Sequence, residues 1–195
     1  MNYRIADKGD KSALFSLWRS CFGDEDGVIE RFFDTVIEFD NTAVAEDEDG
    51  GIVSALYLIP AVIRCGGEDF NAYYVYAAAT DARFRRRGIM KNLLSFAGET
   101  AYGRGADYLF LRPGGEKLYG YYADNGFVTA FYEQKRAVAP DGVPELFDFV
   151  VWDEKVIKLD SELNGGMGFF GKNGYACLDG EGSLSVEYFV SESPK

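Results

Sequence analysis

The chain contains no histidine at all. That removes the one side chain whose unperturbed charge changes near neutral pH, and the commonest zinc ligand. Zinc hydrolase chemistry and His-dependent triads are thereby excluded, and no metal is expected. Cysteine is scarce as well: Cys21, Cys65 and Cys177 lie far apart, with no CxxC pair among them. An odd, scattered set argues against a disulfide framework and fits a reducing compartment, so the chain reads as cytoplasmic. The opening MNYRIADKGD lacks an apolar signal core, and no stretch approaches a membrane span.

Positive charge is also in short supply. Twenty basic residues face 32 acidic ones, for a net charge of −12. An acidic surface repels nucleic acid and anionic lipid, which removes both as expected partners, and attracts cations such as amines. The basic residues are not spread evenly, however. Arg83, Arg85, Arg86, Arg87 and Lys91 all fall within nine positions. A cationic island on an anionic protein points to a local anion site rather than a nucleic-acid face.

Hydrophobic periodicity organises the rest. Tyr3–Ala6 reads as a strand. Leu14, Leu17, Trp18 and Cys21 follow helical spacing behind Asp10 as a cap, and Ile29, Phe32, Phe33, Val36 and Ile37 do the same behind Asp26. Strands are expected at Thr42–Glu46 and Ile52–Ile59 around an Asp49-Gly50 turn, with Pro60 interrupting. Ala61–Cys65 and Glu68–Ala79 then flank Gly66-Gly67. Tyr73–Ala79 carries no charge, as suits a strand buried on both faces. A helix follows from Gly88 to Tyr102, then a strand at Asp107–Leu111. A short helix at Glu116–Asn125 is closed by Gly126, and the last strands of the unit lie at Phe127 and Phe131–Val138. Beyond Ala139-Pro140-Asp141-Gly142 the texture changes. Residues 143–163 suit a helix or a loop, and Gly165–Val190 holds three short strand candidates among the turns Asn164-Gly165, Asn173-Gly174 and Asp179-Gly180.

The informative segment is YYVYAAATDARFRRRGIMKNLL, from Tyr73 to Leu94. A buried strand leads through a tight turn straight into a helix. The first amides of that helix lack intrahelical partners and sit at the positive end of its dipole, which suits a phosphate or pyrophosphate. Gly88 permits close backbone approach, and the arginines add donors for further oxygens.

On these residues the chain resembles the GNAT superfamily of acetyl-CoA-dependent N-acyltransferases. Arg85-Arg86-Arg87-Gly88-Ile89-Met90 matches most of the superfamily's Q/R-x-x-G-x-G/A loop, with Met where Gly or Ala is usual. A bulkier residue there, behind an Arg-rich run, is similar to the loop of Eis-like acetyltransferases. Tyr122-Ala-Asp-Asn-Gly-Phe127 resembles the Y-E-K-x-G-F stretch. The resemblance covers residues 1–138 and implies an α/β GNAT fold: a mixed, mostly antiparallel twisted sheet with helices on both faces. Residues 139–195 would form a short C-terminal β-rich extension, whose strands resemble part of a second, degenerate GNAT-like half.

The resemblance also implies roles. Backbone groups of Ala78, Ala79 and Thr80 would pair with the pantetheine arm of acetyl-CoA. The loop and helix start at Arg85, Arg86, Arg87, Gly88, Ile89, Met90 and Lys91 would hold the pyrophosphate. Tyr122 would protonate the departing thiolate while a primary amine, on a small molecule or a peptide, attacks the thioester directly. The superfamily often places a carboxylate on the strand before the loop as general base. Tyr73–Thr80 has none, and Asp81, Glu68, Asp69 and Glu116 remain open. The first two helices would help line the acceptor site. Two alternatives stand beside the enzyme: a non-catalytic CoA-binding sensor or regulatory module, and a structural fragment completed by a partner chain. Tyr122 as a core residue beside Leu118 and Tyr121 is the plainer reading of that position, and homo-oligomerisation stays open.

Overall fold

In the computed structural model the described residues are 1–130, 132–134, 149–163, 167–171, 174–178, 184–185 and 188–190. The chain divides into two compact units, residues 1–60 with 72–127, and residues 61–71 with 128–195. The expected boundary between residues 138 and 139 lies outside the described residues, as do the turns Ala139–Gly142, Asn164-Gly165 and Asp179-Gly180.

The elements of the first unit run in the order β1 (Asn2–Ile5), α1 (Lys11–Phe22), α2 (Asp26–Thr35), β2 (Thr42–Glu46), β3 (Ile52–Cys65), β4 (Glu68–Thr80), α3 (Ile89–Gly103), β5 (Tyr108–Phe110) and α4 (Glu116–Ala123). β3 and β4 each begin or end in the second unit. The strands lie in the order β1-β2-β3-β4-β5, antiparallel from β1 to β3 and parallel between β4 and β5. The fold class is therefore the expected mixed, mostly antiparallel sheet.

Both faces of this sheet are covered, and strand alternation sorts them. Val44, Ala55 and Tyr57 pack with Leu14, Trp18, Ile29 and Phe33 of α1 and α2. Their neighbours Ala43, Leu56, Leu58 and Val75 pack with Leu93, Leu94 and Ala97 of α3. Leu14, Ile29, Leu56 and Leu93 are fully buried. Each such side chain contributes about 1.5–3 kcal/mol relative to exposure, so these two layers hold the sheet.

Local chemistry adjusts three expected boundaries. Asp10 precedes α1 but does not cap it through its side chain. Arg4 claims that carboxylate at 2.7 and 2.9 Å, and Asp7 instead caps a 3₁₀ turn at Lys8–Asp10. Asp26 is the first residue of α2 rather than its cap. Pro60 does not interrupt β3. It falls between Tyr57, the last residue paired with β2, and Ala61, the first paired with the later strand β7 (Phe149–Trp152). A missing N–H there removes no ladder bond to either partner.

In the second unit, β7 (Phe149–Trp152) runs antiparallel to Ala61–Arg64, and α5 (Glu154–Leu163) follows it. β8 (Met167–Gly171), β9 (Gly174–Leu178) and β10 (Leu184–Ser185) form a three-stranded antiparallel sheet, while β6 (Tyr132–Gln134) pairs with β11 (Tyr188–Val190). The stretch 149–163 thus contains a strand as well as the helix its sequence suggests. Among the described residues no helix is long and apolar enough to cross a membrane.

Candidate functional site

β4 and β5 stay in register only as far as Tyr74 and Phe110. Three residues later Ala77 takes φ +45°, a left-handed conformation that an alanine rarely adopts. Past the kink β4 runs on to Thr80 beside β3 but without β5. Asp81 N donates to Val53 O at 2.9 Å, which fixes its backbone toward β3. By the alternation of a strand, Thr80 and Ala78 then aim their N–H and C=O groups the other way, along the edge β5 has left. Ala79 faces β3, where its carbonyl accepts from Ser54 Oγ at 2.8 Å.

That strand edge, which β5 does not cover, forms one wall of a cleft of about 530 Å³. The loop after β4 and the start of α3 form its floor. Arg86 stands at φ +62° and Gly88 at φ +73°. Two left-handed residues thus flank Arg87 and turn the chain sharply into α3. Gly88 is the N-cap of α3 and makes no side-chain cap, and the first turn holds no acidic residue. The first intrahelical bond reaches Gly88 O from Asn92 N at 3.1 Å. The amides of Ile89, Met90 and Lys91 therefore have no carbonyl one turn back to bond, and the helix dipole raises the potential in front of them.

The third wall is α4. Leu118, Tyr121, Tyr122, Asp124 and Asn125 line it, and Cys21 and Phe22 at the end of α1 close the side. Tyr122 is half-buried, its ring edge-on to Tyr121 and to Phe127 at centroid distances of 5.4 and 5.7 Å. Burial pushes its phenol above the ordinary tyrosine range, with Tyr121 and Tyr74 adding to the rise. A phenol so shifted stays a proton donor throughout the physiological range.

Of the expected site residues, Ala78, Ala79, Thr80, Arg85, Arg86, Gly88, Ile89, Met90, Lys91 and Tyr122 all come together on this cleft. Ile89 takes part through its backbone, since its side chain is buried with Ala45 and Val53. Arg87 is placed otherwise. It is not on the cleft wall; its guanidinium donates to Arg83 O at 3.0 Å and lies 5.2 Å over the Phe84 ring. Among the four acids left open, Asp81 is committed to the loop. It accepts from Arg83 N, Nε and Nη2 at 2.9, 3.1 and 2.8 Å, which holds its carboxyl down to about 2. Asp69 is bonded to Arg64 at 2.6 and 2.8 Å in the second unit. Neither Glu68 nor Glu116 lines the cleft.

Sequence reading passed over Cys21, Phe22, Phe84, Leu118, Tyr121, Asp124 and Asn125 as site residues. Asp124 is the single carboxylate on the cleft wall among the described residues. No motif marks these side chains. Tyr121, Asp124 and Asn125 could have been found by noting that the helix carrying Tyr122 must present neighbouring residues to the same space.

The α3 start and two arginines line this cleft beside a β4 edge that β5 does not cover, and the Tyr122 phenol stands on its wall. The acetyltransferase (GNAT) domain family matches residues 2–130, and the chain belongs to that family. It is a GNAT-type acyltransferase, and the family's donor is acetyl-CoA.

Solved structures share the fold. Glucosamine-6-phosphate N-acetyltransferase from Arabidopsis thaliana is 16% identical with a TM-score of 0.52, over 73% of this chain and 97% of that one. Eis1 from Mycobacterium abscessus is 14% identical with a TM-score of 0.66, over 91% of this chain and 53% of that one. This chain therefore spans about half of the Eis1 length. YhbS from Escherichia coli, solved in complex with CoA, is 19% identical with a TM-score of 0.51, over 62% and 66% of the two chains. No curated protein matches by sequence.

Proposed function

We propose that the chain transfers an acetyl group from acetyl-CoA to a primary amine by direct attack, with Tyr122 as the general acid. The observation that carries this is the meeting of the uncapped α3 start and the Tyr122 ring on one cleft. The amides from Gly88 to Lys91, with Arg85 and Arg86, would hold the pyrophosphate. The backbone of Ala78 and Thr80 would take the pantetheine arm as an added strand. Acetyl-CoA supplies an activated carbonyl whose leaving group is a thiolate. Tyr122 places a proton at that leaving sulfur, and its raised phenol keeps the proton available at neutral pH.

The acceptor amine must arrive unprotonated or lose its proton on the way, since only the free base carries a lone pair. A net charge of −12 favours cationic acceptors, on a small molecule or a peptide. Residues 139–195 are read as part of a second, degenerate GNAT-like half.

The test is thiol release from acetyl-CoA against a panel of primary amines. Amine-dependent release supports the enzyme, and CoA binding without release under any amine supports the sensor. Tyr122→Phe should keep CoA affinity and lower turnover by ~10²–10⁴-fold, the range of general-acid catalysis. Unchanged turnover returns Tyr122 to a packing role.

A further inference from the structure

Among the described residues, Arg85 is the cleft arginine that donates to the β4 edge. Its Nε donates to Thr80 O at 2.9 Å, and its Nη2 lies 3.8 Å from Cys21 Sγ. Cys21 Sγ in turn lies 3.6 Å from the same carbonyl. Thr80 O is one of the groups that the strand alternation turns toward the cleft. The guanidinium therefore occupies the acceptor that an extended ligand arm would use. Arg85 is an exposed residue, so swinging away breaks few packing contacts.

We propose that Arg85 is a donor-selectivity residue: it contests the Thr80 edge against any thioester arm and yields only to one that brings a phosphate for it. This rests on the proposed acetyl-CoA site and adds a rule for which donors enter it. A ligand lacking phosphates must displace the Arg85–Thr80 hydrogen bond and offers the guanidinium only water in return. A ligand carrying the diphosphate displaces the same bond but presents anionic oxygens at the neighbouring α3 start. There the guanidinium exchanges a bond to a neutral carbonyl for an ion pair with anionic oxygens, in the forked geometry that suits phosphate. Selectivity then comes from a penalty against the wrong ligand as much as from attraction to the right one.

The consequence is a change of sign that simple phosphate binding does not produce. Removing the guanidinium should weaken CoA and tighten acetyl-pantetheine. The experiment is titration calorimetry of wild type, Arg85→Ala and Arg85→Lys with CoA and with S-acetylpantetheine, each protein first checked by its thermal melt. In Arg85→Ala the CoA affinity should fall about tenfold or more, while that of acetyl-pantetheine should rise by roughly two- to fivefold, the scale of one net hydrogen bond. Arg85→Lys keeps the charge but not the Nε donor. It should retain most of the CoA affinity and still gain for acetyl-pantetheine.

Acetyl-pantetheine affinity that is unchanged, reduced or unmeasurable in both variants overturns the selectivity role, and leaves Arg85 as a fixed brace of the loop. Failure of the wild type to bind CoA would overturn the site itself. That outcome is read from a different titration, so the two failures cannot be confused.

Discussion

The Phe127 ring meets the Tyr122 ring edge-on at 5.7 Å, and the Phe127 amide donates to the Tyr122 carbonyl at 3.1 Å. Gly126, at φ +88°, donates from its own amide to Ala123 O at 3.1 Å. These two bonds and the hydrophobic contact between the same residues make a Schellman end to α4. The helix terminus thus holds the proposed acid from behind, through backbone and ring together.

Phe127→Ala removes the ring but leaves both backbone bonds able to form. Tyr122 should then lose its backstop while remaining in the cleft. Turnover should fall roughly 10- to 100-fold, the cost of sub-ångström misplacement of a reacting group, with CoA affinity held within about twofold. Phe127→Leu should recover part of the loss. Equal losses of kcat and CoA affinity would show that the whole cleft had collapsed.

Lys91 stands in the first turn of α3, where no acidic residue is present. Lys91→Glu offers the dipole a negative charge of its own. The protein without ligand should become more stable by about 0.3–1 kcal/mol, as for other acids at helix starts. CoA affinity should fall in the same variant, because a carboxylate then competes with phosphate for the same potential. Urea unfolding and calorimetry read the two effects separately. A variant that loses stability and keeps CoA affinity would show that phosphate does not meet this helix start.

Asp81 supports the loop rather than the chemistry, and its titration says how. Arg83 holds its folded carboxyl down to about 2, below an unfolded value of about 3.9. A depressed folded value means that the interaction stabilises the fold above the unfolded one and is lost as pH falls toward the folded one. Asp81→Asn should therefore be less stable than wild type at pH 7, with the gap closing between about pH 4 and pH 2. Urea midpoints at pH 7, 5, 4 and 3 follow it. A gap that does not narrow with acid would place the effect in packing.

The cleft was legible in the sequence where a residue's chemistry is local. Gly88 and Gly126 mark left-handed turns. The uncharged run Tyr73–Ala79 marks a strand, but not one buried on both faces: only Val75 and Ala79 within it are buried, and β5 leaves it after Tyr74. Pairing was not local and stayed hidden. Ala77 at φ +45° carries no glycine signature, so the kink that frees the Thr80 edge could not be read from it. The same holds for Arg87, whose place over Phe84 depends on the fold of the whole loop. Asp10 looked like a cap until Arg4, six residues away and one strand over, claimed it. Pro60 looked like a break because the sequence does not show that β3 changes partners there.

Burial raises the Tyr122 phenol above its usual value of 10, and this sets the pH range over which the proposed acid can work. A general acid acts only while protonated, so a raised value extends its range upward. The rate of amide formation should rise with pH as the acceptor amine loses its proton, then fall only above about pH 10 as Tyr122 ionises. In Tyr122→Phe the rise should remain and the upper fall should vanish, at a lower overall rate. Amide product must be followed rather than free thiol, because hydroxide releases thiol directly at high pH. An upper limb that survives in Tyr122→Phe belongs to another group, and the proton for the leaving sulfur would then come from elsewhere.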